Sequence, residues 1–560
     1  MARINVSPIG KRRTATPVQT PISETQVLNS TGGYTWQVDD FGRLDRFLIL
    51  GVEGGTYYAA EQDLLKQNHD TVLRCIKADG LRTVNRTVEV SDKGLAYKND
   101  PALLVLALVT AHGTAEAKAA ACAALPKVAR IGTHLMHFAA YVNAFRGWGR
   151  GLRRAVAAWY VEKDAEKLAQ QAVKYQQRDG WSHRDLLRLS HPRTTDKATE
   201  AVFRWMVGGK EALAERSVRR GKDKDAATVS YEAVQTHLPR IIEAFEEAKT
   251  ADTKRLVELI TEHGLTREMI PTEKLNEIAV WEALLQNMPL TATIRNLGKM
   301  SAIGLIKPMS QASKLVRERL TNAESLRKSR VHPMQVLIAA KVYGQGRGGL
   351  GSLTWTPVPA VEEALDKAFY ASFPNVEPCG KPMLIGLDVS GSMSSSVAGV
   401  TCLTACEAVA GLSLVHANVE DECHIFGFAN TFRELGIRKG MTLAEAYRRA
   451  QVANFGSTDC SLAIQYAIEH KMVVGGFITM TDNEVNTGSH PAQMLQRYRE
   501  RFNPQARNVV VATTSTPFTV NDPNDKFGLD VVGFDASAPK VIADFIRGDS
   551  QDTKAGPEES

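Results

Sequence analysis

The sequence predicts a mainly helical protein joined to an α/β domain whose sheet is parallel and doubly wound. Three observations carry that expectation. Residues 40 to 345 read as helix after helix, apolar strands alternate with amphipathic helices from residue 384 onward, and the chain has 560 residues. Single hydrophobic cores seldom exceed roughly 250 to 300 residues, so more than one domain is expected.

In the helical part, Leu238, Ile241, Ile242 and Phe245 follow a helical period, as do Leu256, Leu259 and Ile260, then Val280, Leu284, Leu285 and Met288. Apolar side chains at these spacings line one face of a helix. Many helices of moderate length without one strict heptad point to a solenoid of antiparallel helix pairs, although no fixed-period sequence repeat accompanies them. A curved stack that closed on itself would present helix ends and loops to an outer surface and to a central opening. The divisions drawn are a flexible N-terminal segment 1–32, a helical domain 33–355, an α/β domain 361–547 and an acidic flexible tail 548–560.

The α/β domain opens with the apolar strand Leu384-Ile385-Gly386-Leu387, which runs into Asp388-Val389-Ser390-Gly391-Ser392. A helix follows with apolar spacing at Leu403, Ala410 and Leu414. His424 to Phe428 reads as a strand and Phe432 to Ile437 as its antiparallel hairpin partner at a sheet edge. Helices at Ala444, Tyr447, Ala450 and at Leu462, Tyr466, Glu469 come next, then a strand from Gly476 that ends at Asp482. Asn508 to Ala512 is a continuous apolar run, as a strand covered on both faces should be. Leu529 to Phe534 reads as the last strand and Pro539 to Ile546 as the last helix. Strands alternating with helices of this length imply crossover connections and a parallel sheet.

Asp388, Ser390 and Ser392 can lean toward one point as the chain leaves its strand. A carboxylate and two hydroxyls are hard oxygen ligands, suited to magnesium and poorly to zinc. Alone, the run reads more readily as a metal-free Ser/Gly turn than as a metal site. Thr458, in Asn454-Phe455-Gly456-Ser457-Thr458-Asp459, and Asp482 sit in two further loops at the same rim, where ligands gather in open parallel sheets. In type and chain order, Asp388, Ser390, Ser392, Thr458 and Asp482 resemble the metal-ion-dependent adhesion site of von Willebrand factor A domains, which implies a bound Mg2+.

Charge separates the two parts. Residues 381–547 hold 14 Lys+Arg against 17 Asp+Glu and the last 13 residues hold one against four, which leaves 53 against 41 for residues 1–380. The front is therefore formally +12 and the remainder −6. A basic domain beside an acidic one points to a polyanionic partner for the first. Residues 146–193 alone carry 11 Lys+Arg against five acids, interleaved with Trp148, Trp159, Tyr160, Tyr175 and Trp181. Such aromatics brace a core or stack on bases, and the plain reading is a solvated helical face over a packed interior.

Seven cysteines, an odd number without Cys-x-x-Cys, fit a reducing compartment, with Cys402, Cys406 and Cys423 as small core residues. No apolar run follows Lys11, Arg12 and Arg13, and Leu103 to Val109 is too short to span a bilayer. The expectation is a cytoplasmic protein with no membrane contact. Gly344-Gln345-Gly346-Arg347-Gly348-Gly349 spells a dinucleotide fingerprint but follows a helix instead of a strand, so it reads as an inter-domain loop. No nucleophile elbow, Walker A or H-E-x-x-H motif is present.

Longer motifs add a resemblance. Arg46-Phe47-Leu48-Ile49-Leu50-Gly51-Val52-Glu53-Gly54-Gly55-Thr56-Tyr57-Tyr58, Trp148-Gly149-Arg150-Gly151-Leu152-Arg153-Arg154-Ala155, and the run from Lys174 to His191 are similar to the TROVE domain of the Ro 60 kDa ribonucleoprotein family. Met288-Pro289-Leu290-Thr291, Arg295 to Met300 and Val331-His332-Pro333 extend it, and with the A domain it spans about residues 33 to 547. The resemblance implies a ring of HEAT-like helical repeats closed by the A domain. It implies small noncoding Y-like RNA on an outer basic surface and single-stranded 3′ ends of misfolded RNA in the central hole, in RNA quality control. It allows an exoribonuclease tethered through RNA and an acidic protein ligand for the A domain. Family RNA-contacting positions match Lys174, Arg178 and His191, with Arg150, Arg153, Arg184 and Arg188 as further phosphate contacts. Lys174 and Arg178, four apart, are expected to share a helix face, and His191 to sit at a helix end before Pro192. His183 is expected to be structural. Ser457 stands where relatives often carry glycine, which touches no ligand position. The function expected is an RNA-binding scaffold, not an enzyme. The alternatives are a metal-dependent adhesion module and a magnesium nuclease using Asp388 and Asp482, for which these loops offer few carboxylates.

Overall fold

The computed structural model describes residues 15–29, 31–37, 39–50, 61–93, 99–219, 228–348, 352–397, 400–429, 431–451, 457–482, 485–512, 518–532 and 538–548. It begins with β1 (Gln26–Leu28) antiparallel to β2 (Tyr34–Gln37). Helices α1 (Asp40–Leu50), α2 (Glu61–Asp92), α3 (Asp100–His112), α4 (Ala115–Val128), α5 (Gly132–Phe145), α6 (Arg150–Val161) and α7 (Ala165–Lys174) follow. α2 breaks at Asp79, which leaves helical geometry and accepts the Arg82 N–H at 2.8 Å, capping the second half. A hairpin, β3 (Gln177–Arg178) and β4 (Trp181–Ser182), leads into α8 (His183–Ser190) and α9 (Lys197–Gly208). A second hairpin, β5 (Arg216–Arg219) and β6 (Thr228–Tyr231), precedes α10 (Arg240–Ala248), α11 (Thr253–His263), α12 (Ile278–Asn287) and α13 (Leu290–Ala302). The helical part ends with α14 (Gln311–Thr321), α15 (Ala323–Lys328), α16 (Pro333–Gly344) and α17 (Pro359–Ala371).

Each of these helices packs on near neighbours in the chain: α2 on α3 and α4, α4 on α6, α6 on α8, α7 on α9 and α10, α10 on α11, α11 on α12, α13 on α16, and α17 on α14 and α16. That is the pattern of a solenoid. The fingerprint-like glycines begin at Gly344, the last residue of α16, and run into a loop where Arg347 bridges Thr354; Gly349 falls outside the described residues. So do residues 51–58 of the resemblance.

The last third builds β7 (Met383–Asp388), the irregular pair β8 (Ser396–Val397) and β9 (Val400–Thr404), α18 (Ala405–Val419), β10 (Cys423–Phe428) and β11 (Phe432–Glu434). Then come α19 (Leu443–Ala450), α20 (Leu462–Glu469), β12 (Gly476–Thr481), α21 (Pro491–Arg501), β13 (Arg507–Ala512), β14 (Phe518–Thr519), β15 (Gly528–Val532) and α22 (Ala538–Arg547). The six-stranded sheet has the order β11-β10-β7-β12-β13-β15, parallel except for the β11 edge. Alternation along the strands explains the two covered faces. Ile385, Leu387, Ile425, Ile478, Met480, Val509 and Val511 join the main core that includes α18, whereas Leu384, Phe426 and Phe477 pack with Ala463, Ile464 and Tyr498 of α20 and α21.

Both ends of the helical arc are fastened to this domain. At the far end α16 packs on α18, with Lys341 Nζ 2.5 Å from Glu407 Oε1, and Gly411 lets Leu337 approach so closely that a Cβ would sit 2.8 Å from Leu337 Cδ2. At the near end α1 packs on β15, and β2 extends through β14, Trp36 opposite Thr519. The result is a ring-shaped helical solenoid closed by the α/β domain. The described part of the N-terminal segment expected to be flexible, residues 15–29 and 31–32, is packed instead: Val18 is buried, its N–H reaches Gly488 O at 2.8 Å, and Asn29 Nδ2 donates to Val485 O at 2.6 Å. Edge backbone groups that need partners find them in the A domain. Residues 1–14 and 549–560 lie outside the described residues.

Candidate nucleic-acid interface and metal-site rim

The sequence places the cations by deciding which helix faces are apolar. In α6, Leu152, Val156, Trp159 and Tyr160 are buried, which turns Arg150, Arg153 and Arg154 outward. In α8, Leu186 and Leu187 are buried and Arg184 and Arg188, one turn apart, are exposed. The two helices pack together. A capping box starts α8: Ser182 Oγ accepts the Asp185 N–H while the Asp185 carboxylate accepts from Ser182 N at 3.0 Å. Among the described residues, Arg150, Arg153, Arg184 and Arg188 have no carboxylate within ion-pair distance.

Lys174 and Arg178 do not share a helix. α7 stops at Lys174 because Tyr175 takes a non-helical backbone (φ −122°, ψ 67°), and Arg178 lies on β3, opposite Trp181 across a tight turn. Asp179 and Gly180 make that turn with positive φ values of 51° and 77°, as a two-residue hairpin requires. His137 binds Asp179 and pins the turn to α5. Lys174 is half-buried with Nζ 5.4 Å from the Tyr175 ring centre, whereas Arg178 is exposed, its Nε 3.7 Å from Asp179. His191 ends α8 in the left-handed region (φ 47°, ψ 55°) and is exposed before Pro192.

The aromatics divide. Trp159 and Tyr160 are core residues, and Lys163 turns inward over the Trp159 ring at 3.6 Å. Trp148 and Trp181 pack against each other, ring centres 5.5 Å apart, and remain partly accessible, as does Tyr175. His183 is buried, with Nδ1 2.8 Å from the Tyr160 hydroxyl, and burial pulls its pKa down to about 4.

The metal rim follows from the strand order. From β7 the chain goes to β10 on one side and only later crosses back to β12 on the other, so a crevice opens between the carboxyl ends of β7 and β12. Asp388 ends β7 and Asp482 follows β12; both are buried. Asp388 Oδ1 accepts the Ser390 N–H at 2.9 Å, Oδ2 accepts the Thr481 hydroxyl at 2.7 Å, and Ser390 Oγ lies 3.1 Å from Ser392 Oγ. Thr458 is held by its backbone: its N–H donates to Asn486 Oδ1 at 2.7 Å and its carbonyl accepts the Asn486 N–H at 3.1 Å. Asp459 is occupied by the Ser461 N–H and hydroxyl at 2.9 and 2.6 Å.

Burial first, and the charge of Asp482 second, push the Asp388 carboxyl up from its ordinary range. Two buried carboxylates that repel each other beside three hydroxyls form a hard-oxygen set that a small divalent cation fits, because the cation reverses the repulsion. Thr481, Asp459 and Asn486 were not singled out from the sequence; they position the others, and only their place beside the rim loops could have marked them. Residues 454–456 of the Thr458 loop lie outside the described residues.

Comparison with known proteins agrees with this architecture. A TROVE domain model matches residues 27–381 and a Ro60 vWA domain model matches 382–546. Their junction leaves α17 with the helices it packs on, whereas the sequence reading began the second domain at 361. The RNA-binding protein RO60 of Deinococcus radiodurans is 42% identical over 533 residues, covering 94% of this chain and 96% of that protein. The RNA-binding protein RO60 of Caenorhabditis elegans is 32% identical over 587 residues, covering 94% and 91%. The crystal structure of Deinococcus radiodurans RO (RSR) protein superposes with a TM-score of 0.71 at 41% identity, over 91% of this chain and all of that one. With both halves matched in order and relatives aligned along nearly its whole length, the chain belongs to the Ro60 family.

Proposed function

We propose that this protein is an RNA-binding scaffold that holds a small Y-like noncoding RNA on the basic face of α6, the β3–β4 hairpin and α8. Single-stranded 3′ ends of misfolded RNA enter the central hole, which places the protein in RNA quality control and allows an exoribonuclease to be tethered through the RNA. The observation that carries the reading is a set of exposed arginines on adjacent elements without acidic partners among the described residues, Arg150, Arg153, Arg184 and Arg188, flanked by Lys174, Arg178 and His191. Unpaired cations gain most from phosphates, and they read little sequence. The names of the relatives support RNA as the ligand class.

At the rim, Asp388, Ser390, Ser392, Thr458 and Asp482 would hold Mg2+, which when bound supplies an open coordination position for a carboxylate of an acidic protein. Asp388 and Asp482 provide charge, and Thr481 and the Ser390 N–H keep Asp388 aimed. One cation without a companion does not make a two-metal nuclease. Seven free cysteines suit a cytoplasmic location.

The test is to sequence RNA that copurifies with the protein, then measure binding of a structured RNA to a Lys174→Ala/Arg178→Ala/His191→Ala variant. A small structured RNA, weaker binding by the variant and no cleavage of end-labelled RNA in magnesium are expected. Absence of copurifying RNA, or unchanged affinity in a folded variant, would overturn the reading.

A further inference from the structure

A buried cluster at the junction of the helical part and the A domain belongs to neither site. His416 and Glu420 lie four apart at the end of α18 and share a face, and Cys379 comes from the segment ahead of β7. One ligand atom from each lies within 4.8 Å of the others. Cys379 is 0% exposed and the side chains of His416 and Glu420 are each 2% exposed. The Glu420 carboxylate is already aimed: it accepts the Cys379 N–H at 2.8 and 2.9 Å and the Gly380 N–H at 3.3 Å. Gly380 has a φ of 66°, which turns the loop so that both amides point the same way.

His416 is what the protein contacts do not explain. Among the described residues neither ring nitrogen has a hydrogen-bond partner of good geometry: Nδ1 reaches only to 3.5 Å from Glu420 Oε1 and Nε2 has none. Buried polar side-chain atoms nearly always find a partner. An ion pair alone would draw Nδ1 into hydrogen-bond range and still leave Nε2 idle. His332, which caps α16 and is near enough for the two imidazole charges to interact, also has a buried Nε2 without a partner among the described residues. The cluster therefore lies beside the contact between α16 and α18.

We propose that Cys379, His416 and Glu420 bind one zinc ion, with water in the fourth position. Thiolate, imidazole and carboxylate are a donor set that suits tetrahedral zinc, whereas magnesium has no preference for sulfur. The amides of Cys379 and Gly380 give the carboxylate the outer support that ligating groups usually have. On binding, the Cys379 S–H bond breaks, sulfur bonds the metal and the proton passes to solvent. Without the cation, burial and the charge of Glu420 hold that proton on; a dication reverses both effects. The site shares no residue with the rim ligands at Asp388, Ser390, Ser392, Thr458 and Asp482.

The test uses full-length protein purified without a histidine tag, stripped with chelator and titrated with Co2+. With excess Mg2+ present to fill the rim, wild type should take up one cobalt with a thiolate-to-cobalt charge-transfer band, and one equivalent of Zn2+ should displace it. Cys379→Ser should abolish the band, and Glu420→Gln should weaken binding by about 10- to 100-fold. Asp388→Ala should leave the band intact, since Asp388 is not one of the three ligands, and a band that depended on Asp388 would place the cobalt at the rim beside Cys460, whose Sγ lies 4.0 Å from Thr481 Oγ1, and overturn the proposal. Absence of both the band and bound zinc in folded wild type would overturn the proposal whatever the variants do. A band that survives in Cys379→Ser would place the metal on another cysteine and overturn it equally.

Discussion

Replacing Arg150, Arg153, Arg184 and Arg188 together by Gln removes four exposed cations and no buried contact, because the buried faces of α6 and α8 are made by other residues. Surface changes of this kind alter stability by about 0.5 kcal/mol or less each, so the fold should survive. If each arginine meets one phosphate, each contributes about 0.9 to the slope of log affinity against log salt, and the variant should lose roughly 3.6 units of slope. Over a fourfold rise in salt that difference amounts to about 150-fold in affinity that wild type loses and the variant does not. The assay is filter binding of a stem-containing small RNA at several KCl concentrations, with circular dichroism as the folding control. Scrambling the stem sequence should leave both slopes unchanged. Parallel slopes for wild type and variant would refute the assignment of this face.

Three further outcomes follow from the site geometry. His183 takes its proton at about 4 when folded against 6.5 in its ordinary state, so the unfolded chain binds more protons between those values. Stability is therefore lost as pH falls through that window, by up to about 3 kcal/mol from this residue, and His183→Gln should flatten the fall in urea midpoints. Asp388→Ala should abolish calorimetric Mg2+ binding while RNA affinity stays unchanged, since the basic face is on α6 to α8; loss of RNA binding in a folded variant would show the two sites to be coupled. Gly488 has a φ of 81° and a Cβ there would run into the Asp459 carboxylate, so Gly488→Ala should cost about 1–3 kcal/mol and weaken Mg2+ binding. Gly440→Ala, at a φ of 83° with open space around it, should cost less; equal losses in urea titrations would contradict the packing argument.

Periodicity carried most of the architecture. The strands expected at His424 to Phe428 and Asn508 to Ala512 appear as β10 and β11's neighbour order requires and as β13, because continuous apolar runs leave few alternatives once both faces are covered. Among the apolar positions, helical spacing erred at ends: Leu403 falls on β9 just ahead of α18, and Leu238 and Met288 fall just outside α10 and α12, each beside a proline. The order of Asp388, Thr458 and Asp482 along the chain was readable because the switch point of the sheet follows from strand order. Long-range partners were not readable. Gln26 to Leu28 carries no strong strand signal, and its pairing depends on β2 reaching β14, almost five hundred residues away. Arg178 was misplaced because a four-residue spacing mimics a helix, while the Asp179-Gly180 turn that breaks it is only a dipeptide. The Cys379, His416 and Glu420 cluster joins two segments whose proximity only the fold reveals.

The bolt between β2 and β14 also sets a rule of topology for any polymer that passes through the ring. A closed loop of polypeptide admits a thread only by a free terminus. A circular RNA, or a strand with both ends engaged in large assemblies, is excluded by connectivity and not by affinity, and a terminus folded back into a stem must melt before it is admitted. Sideways entry would require unzipping the backbone pair and exposing Trp36, which is 4% exposed in the closed ring. For the RNA-binding role proposed above, any selection for loose ends would rest on how the first strands of the chain are fastened to the last domain.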